Sequence, residues 1–256
     1  MEPGVPRTNR FRQFLRDRTP ERFHPFLRRT AMNPYANRVL RHPRWGNLRR
    51  DRPFSGHFGR DRGTPIDQYY VAQFIAANQW RISGHVLAVG DDTHAMRHGR
   101  GVDRVEVIDI VHSNLAATLL ADLAEMGSLE EATYDCAIIT QTLHYIPDAA
   151  AALKNVWRSL KPGGHLLLSV PGVARRDSGF AASEAWRFLE PGLRHLVEFS
   201  CTPAPIGAEL RSYGNLRASI ATLLGLAAQE LTGDELSATD NDYPVVVTLV
   251  ATKPPG

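Results

Sequence analysis

The stretch 134-YDCAIITQTLHYIPDAAAALKNVWRSLKPGGHLLLSV-170 decides the fold. Its first seven residues are almost continuously apolar, which is how a strand covered on both faces reads. Asp148 follows as a helix N-cap, and Leu153, Val156, Trp157 and Leu160 recur at helical spacing as one apolar stripe. Lys161-Pro162-Gly163-Gly164 ends that helix, because proline lacks an N–H and glycine favours the left-handed exit. Residues 165–170 then read as a second buried strand. Strand, amphipathic helix and strand in this order form a parallel crossover unit.

The same texture extends in both directions. Upstream, residues 67–78 place Tyr70, Val71, Phe74 and Ile75 on a helix, residues 85–89 (HVLAV) form a strand stopped by Gly90, and residues 104–110 and 118–123 give two more. Downstream, residues 208–213 are a strand, residues 216–231 a mostly apolar helix, and residues 245–251 (VVVTLVA) the last strand. The expected fold class is α/β: a doubly wound, mostly parallel, seven-stranded Rossmann-like sheet with helices on both faces. One main domain suits 256 residues that are 43% hydrophobic.

Charge divides the chain more sharply than its net +3 suggests. Residues 1–62 hold 16 Arg and no Lys against five acids, a net +11, which leaves −8 for the remainder. This predicts an arginine-rich N-terminal extension (1–62) acting as lid, arm or tether, followed by a domain at 63–256. Phe11, Phe14, Leu15, Phe23, Phe26, Leu27 and Trp45 are interleaved as docking anchors, so the extension is expected to wrap the acidic body of its own chain or of a second copy in a homodimer. Nucleic acid is not the expected partner, since no recognised module accompanies the charge. Cys136 and Cys201 are too few for a disulfide framework, and no run approaches the ~18 apolar residues of a membrane span. A cytoplasmic protein is expected.

Several segments together resemble the class I S-adenosylmethionine-dependent methyltransferases. They are Val86-Leu87-Ala88-Val89-Gly90, Asp109 at the end of the second strand, Ala121-Asp122-Leu123, residues 134–139, Leu143-His144-Tyr145 and Leu160-Lys161-Pro162-Gly163-Gly164, in an order and spacing that fit over residues 62–173. Residues 63–70, the Gly90-Asp91-Asp92-Thr93 turn and Tyr213-Gly214-Asn215 resemble a bacterial subgroup of that family. The resemblance implies S-adenosyl-L-methionine as cofactor and methyl transfer to a hydroxyl or amine of a small molecule, such as a sugar-containing or natural-product scaffold.

It also implies site residues. Asp109, with Ile110 beside it, would accept the ribose hydroxyls; Asp122 would accept from the adenine amino group and Leu123 would offer a backbone amide. Gly90, Asp91 and Asp92 would form the turn against the cofactor, Gln141 and Thr142 would line its methionine end, and one of Tyr69 and Tyr70 would cover it. His144 is the candidate general base toward an acceptor hydroxyl. Trp186-Arg187 and residues 213–215 are candidates for the acceptor side.

The sequence departs from the family pattern in one turn. Of the usual glycines only Gly90 remains, and Ala88 stands where an acid usually receives the methionyl ammonium; Asp91 or Asp92 is the expected substitute. Ala88 keeps a second reading open, a methyltransferase-like protein that transfers no methyl group and instead binds a partner or catalyses another reaction such as a cyclisation.

Overall fold

The computed structural model describes residues 46–180 and 182–256. The chain divides between Asp51 and Arg52 into two compact units. Of the first, the described residues form one 3-10 turn at Gly46–Leu48; the expected aromatic anchors from Phe11 to Trp45 lie outside the described residues. The second unit starts at Arg52, ahead of the Gly63 boundary drawn from composition.

In this unit the chain forms α1 (Ile66–Ala77), β1 (Gly84–Val89), α2 (Thr93–His98), β2 (Val102–Asp109), β3 (Leu119–Leu120), β4 (Tyr134–Thr140), α3 (Ala149–Ser159), β5 (Leu160–Pro171), α4 (Glu190–Ser200), β6 (Ile206–Tyr213), α5 (Leu216–Leu224), α6 (Gly233–Ser237) and β7 (Val246–Thr252). The seven strands make one sheet in the order β3-β2-β1-β4-β5-β7-β6, in which β7 runs antiparallel to both its neighbours. Central strands alternate between two cores, as the period of two requires. Val86, Ile138 and Leu167 face α1 and α5 with Phe74 and Ala218, whereas Leu87, Ile139 and Leu168 face α3 and α4 with Trp157 and Leu193. This two-sided burial is why β1, β4 and β5 read as unbroken apolar runs.

Four elements differ from the sequence reading. The helix after Asp148, whose carboxylate accepts from Ala151 N at 2.9 Å, stops at Ser159, and the strand begins at once with Leu160. Lys161-Pro162-Gly163-Gly164 therefore lies within β5: Gly163 N donates to Lys253 O at 3.0 Å, and a Cβ on Gly164 would fall 2.9 Å from Lys161 O. The third strand shrinks from residues 118–123 to Leu119–Leu120: backbone bonds to β2 persist at Thr118 and Ala121, but from Asp122, whose carboxylate accepts from Ala124 N, the chain turns away. The helix expected over 216–231 breaks at Gly225, which is left-handed (φ +70°) and packs so closely that a Cβ would lie 2.5 Å from Ser55 O. An additional helix, α4, buries Leu193 and Val197 and carries its proline in the first turn, where no N–H is needed.

Candidate active site

Strand order reverses between β1 and β4, and in open α/β sheets the crevice beyond the carboxyl ends of the strands at such a point binds ligands. A cavity of about 370 Å³ opens there. Its floor is Ala88 and Val89 from β1, Ile138 and Thr140 from β4, and Pro171 from β5. The first turn of α1 supplies Asp67 and Gln68, the turn after β4 supplies Gln141, His144 and Tyr145, and the segment after β5 supplies Arg175, Asp177 and Glu184. A preceding loop adds Phe58 and Arg60.

The sequence candidates fall into three groups. Asp91, Gln141 and His144 line the cavity, and so does Ala88, whose side chain offers only a methyl group. Gly90 and Asp109 do not line it, but both sit at its rim at the ends of β1 and β2. Gly90 is left-handed (φ +79°), and a Cβ there would meet nothing within 4 Å, so the backbone faces open space that a ligand can approach. Asp109 Oδ1 accepts from Val111 N at 2.9 Å and Oδ2 from Asn114 Nδ2 at 2.6 Å, which aims the carboxylate and leaves lone pairs on both oxygens. Asn114 Nδ2 also reaches Gly90 O at 2.6 Å, so one side chain ties the two rim residues together.

The remaining candidates stand elsewhere. Asp122 accepts from Ala124 N at 2.8 Å in a local turn, Leu123 is buried, and Ile110 is exposed. Asp92 is exposed at the start of α2, and the Thr142 hydroxyl donates to Thr140 O at 2.9 Å. Tyr70 is a core residue rather than a cover: it is buried, and its hydroxyl donates to Leu236 O at 2.9 Å. Trp186 donates to the carbonyls of Ile146 and Pro147. Asn215 caps α5 and donates to Glu235 O and Ala238 O, which makes it structural.

Electrostatics separate the cavity into distinct groups. Burial pushes the Asp67 carboxyl up, opposed by the backbone amides of Gln68 and Asp67 and by Arg60. Burial and the Arg187 charge hold His144 down to about 4, so its imidazole is neutral at pH 7. Its Nδ1 is buried without a hydrogen-bond partner among the described residues, and its ring lies 3.9 Å from that of Tyr145 between centroids. The Tyr145 hydroxyl donates to Asp177 Oδ2 at 3.2 Å and is pushed well above the ordinary phenol range by burial and by that carboxylate. Asp177 N in turn donates to Glu184 Oε2 at 2.7 Å, while Glu184 Oε1 pairs with Arg187 at 2.6 Å. Two of the three non-glycine residues at positive φ among those described, Phe58 (58°) and Gln141 (47°), are on the cavity wall. Such conformations persist only where surrounding contacts impose them; for Gln141, one is its N–H to Ser169 O at 2.8 Å.

Composition hid Phe58, Arg60, Asp67, Asn114, Arg175 and Asp177. Only Asn114 carried a local signal, as a short amide side chain just past a strand end, where asparagine commonly bonds to nearby backbone.

Residues 88–168 match the family model described as a methyltransferase domain. Among curated proteins, none matches the sequence. Among solved structures, a chain from the complex of the Haloferax volcanii Trm112 methyltransferase activator aligns at 18% identity with a TM-score of 0.51, over 77% of this chain and 94% of that one. The [4+2]-cyclase SpnF aligns at 18% identity and TM-score 0.47 over 76% and 85%. An S-adenosylmethionine-dependent methyltransferase from Mesorhizobium loti aligns at 14% identity and TM-score 0.48 over 73% and 98%. The fold is therefore that of the Haloferax volcanii structure, and within it residues 88–168 resemble a methyltransferase domain.

Proposed function

We propose that this domain binds S-adenosyl-L-methionine across the ends of β1, β2 and β4 and transfers its methyl group to a hydroxyl or amine of a small molecule, such as a sugar-containing or natural-product scaffold. The observation that carries the reading is the cavity at the β1/β4 switch point within the segment that matches a methyltransferase domain. Its volume falls in the range of about 300–1,000 Å³ usual for small-molecule sites. The residues fit the cofactor: open space over Gly90 admits it, and Asp109, aimed by Val111 N and Asn114, has lone pairs for ribose hydroxyls. Asp122 and Leu123 do not line the cavity; in this reading they would serve the adenine ring.

Asp91 and Asp67 line the cavity with the acid-free Ala88, and in this reading they would bring carboxylates to the methionine end. Asp67 is largely desolvated there, so a cationic ligand group would relieve the cost of its charge. When bound, the cofactor supplies an electrophilic methyl group, and the protein's part is alignment and proton removal. His144 contributes a neutral imidazole. As a base it is weak, and a proton it accepts is quickly released, with Asp177 and Glu184 stabilising the transient cation. It therefore suits an acceptor whose proton is already acidic, or an amine that arrives unprotonated.

Ala88 favours a second reading, in which the fold binds a partner or catalyses a reaction without methyl transfer. Calorimetry with S-adenosylhomocysteine and transfer of labelled methyl from S-adenosylmethionine separate the two. Micromolar binding with turnover supports the first, and the absence of both supports the second.

A further inference from the structure

We infer that Arg60 and Arg175, set against the ring of Phe58, form a subsite for an oxyanion, a carboxylate or phosphate, carried by the methyl acceptor. That the ligand is the acceptor rests on the methyl-transfer reading above; that the site takes an oxyanion rests on its own geometry.

The loop that presents Phe58 is built for one conformation. Ser55 is fully buried, its hydroxyl donates to Asp61 Oδ1, and it accepts from His57 N at 2.9 Å and Gly59 N at 3.1 Å. Phe54 N donates to Leu224 O at 2.7 Å. Gly59 (φ +86°) sits so close to the next wall that a Cβ would fall 2.7 Å from Leu226 O. These contacts hold Phe58 in the left-handed region, a conformation that bulky side chains rarely adopt.

What the strained ring does is carry a guanidinium. Arg175 Cζ lies 3.8 Å from the Phe58 centroid, and Nη2 donates to Gly56 O at 2.6 Å. Its Nε is buried with no hydrogen-bond partner among the described residues. Among the described residues, no carboxylate forms an ion pair with Arg175. Two of the acids that line the cavity are engaged elsewhere, Asp177 with Tyr145 and Gly179 N, and Glu184 with Arg187 and Asp177 N. A flat cation, stacked on one face and tied at one end, presents its free edge for paired hydrogen bonds to a planar or tetrahedral oxyanion. Arg60 lines the same cavity, where its charge also acts on the Asp67 carboxyl, and adds a second positive charge.

Position assigns the ligand. Asp109 and Gly90 mark the cofactor at β2 and β1, whereas Arg175 follows β5, two strands beyond β1.

The test uses the full chain, with Arg175→Gln and Arg60→Gln as variants; Arg60 is exposed, so its replacement reports on the site even if Arg175→Gln folds poorly. S-adenosylhomocysteine and 5′-methylthioadenosine, which lacks the amino-acid tail, are titrated by calorimetry. Inorganic phosphate is titrated at constant ionic strength, with and without S-adenosylhomocysteine, and read by its phosphorus line width. The expected result is saturable phosphate binding in the wild type, weakened about tenfold in each variant, with affinity for both adenosyl compounds held to within roughly twofold. No phosphate binding in the wild type overturns the proposal. So does a loss confined to S-adenosylhomocysteine, which would give the arginines to the methionine carboxylate. If the wild type binds phosphate through these arginines but neither adenosyl compound, the oxyanion subsite stands and the methyl-transfer reading is what fails.

Discussion

Replacing Asn114 by alanine tests how the cofactor end of the cavity is organised. Its Nδ2 uses both hydrogens, one on Gly90 O and one on Asp109 Oδ2, each at 2.6 Å, and its Oδ1 accepts from Ala116 N at 3.0 Å. Truncation leaves the Asp109 carboxylate aimed by Val111 N alone and frees the turn after β1. A neutral hydrogen bond contributes about 0.5–1.5 kcal/mol and one to a carboxylate about 1.5–3 kcal/mol. Both bonds are only partly buried, so water replaces much of each. We therefore expect a stability loss on the order of 1–2 kcal/mol. The functional loss is separate: a carboxylate that must be re-ordered on binding should weaken S-adenosylhomocysteine by about three- to tenfold. Calorimetry on Asn114→Ala, Asp109→Ala and the double variant reads this as a cycle. If Asn114 acts through Asp109, its removal costs little affinity once Asp109 is gone. An equal loss in both backgrounds would refute the reasoning. Asn114→Asp sets a second carboxylate against Asp109 and should weaken binding at neutral pH.

Other outcomes follow from the same geometry. His144, held down to about 4 against an ordinary value of about 6.5, adds stability that is complete above pH 6.5 and is lost as pH falls toward 4. That loss amounts to roughly 3 kcal/mol, and urea melts of His144→Gln should lack this part of the pH dependence. For the same reason any His144-dependent turnover should show no inflection near pH 6.5. Gly225→Ala, with a Cβ 2.5 Å from Ser55 O at φ +70°, should lower stability by at least about 2 kcal/mol in denaturant melts. Ala88→Glu should tighten S-adenosylmethionine by about 1–2 kcal/mol, and adenosine less, if the ammonium lies there. Destabilisation by a few kcal/mol without tighter binding would instead favour the reading without methyl transfer. A chain beginning at Gly63 should melt earlier than one beginning at Arg52, by on the order of 2–3 kcal/mol, because it lacks the Phe54, Ser55 and Gly59 contacts to the segment around Leu224 and Leu226.

The legible parts of the fold are those whose environment repeats along the chain. Val86 to Val89, residues 134–140 and residues 165–170 are buried on both faces, so each position carries the same apolar signal whatever its tertiary partner. Asp91, Gln141 and His144 line the cavity because they follow where β1 and β4 end, which the same apolar runs mark in the sequence. Sequence and structure part where a local signal meets a non-local one. Pro162-Gly163-Gly164 reads as a break, yet Lys253 O from β7 accepts from Gly163 N and keeps the segment in the sheet. Gly225 reads as a tolerable glycine in an apolar helix, and only the backbone of Ser55 makes it a stop.

The loop from Phe54 to Arg62 shows why the far wall of the cavity was hidden. Its arginines look like the rest of an extension with net charge +11, and charge was the signal used to draw the boundary. What commits it to the domain is chemistry that charge does not report: a buried hydroxyl at Ser55, a left-handed Gly59, and the pairing of Arg62 with Glu230. Phe58 and Arg175 are far apart in sequence and meet only after α5 and β5 have packed. A strand end can be found from its own apolar run. A wall made by two loops cannot, because each loop alone is polar, charged and without periodicity, and the cavity exists only in the contact between them.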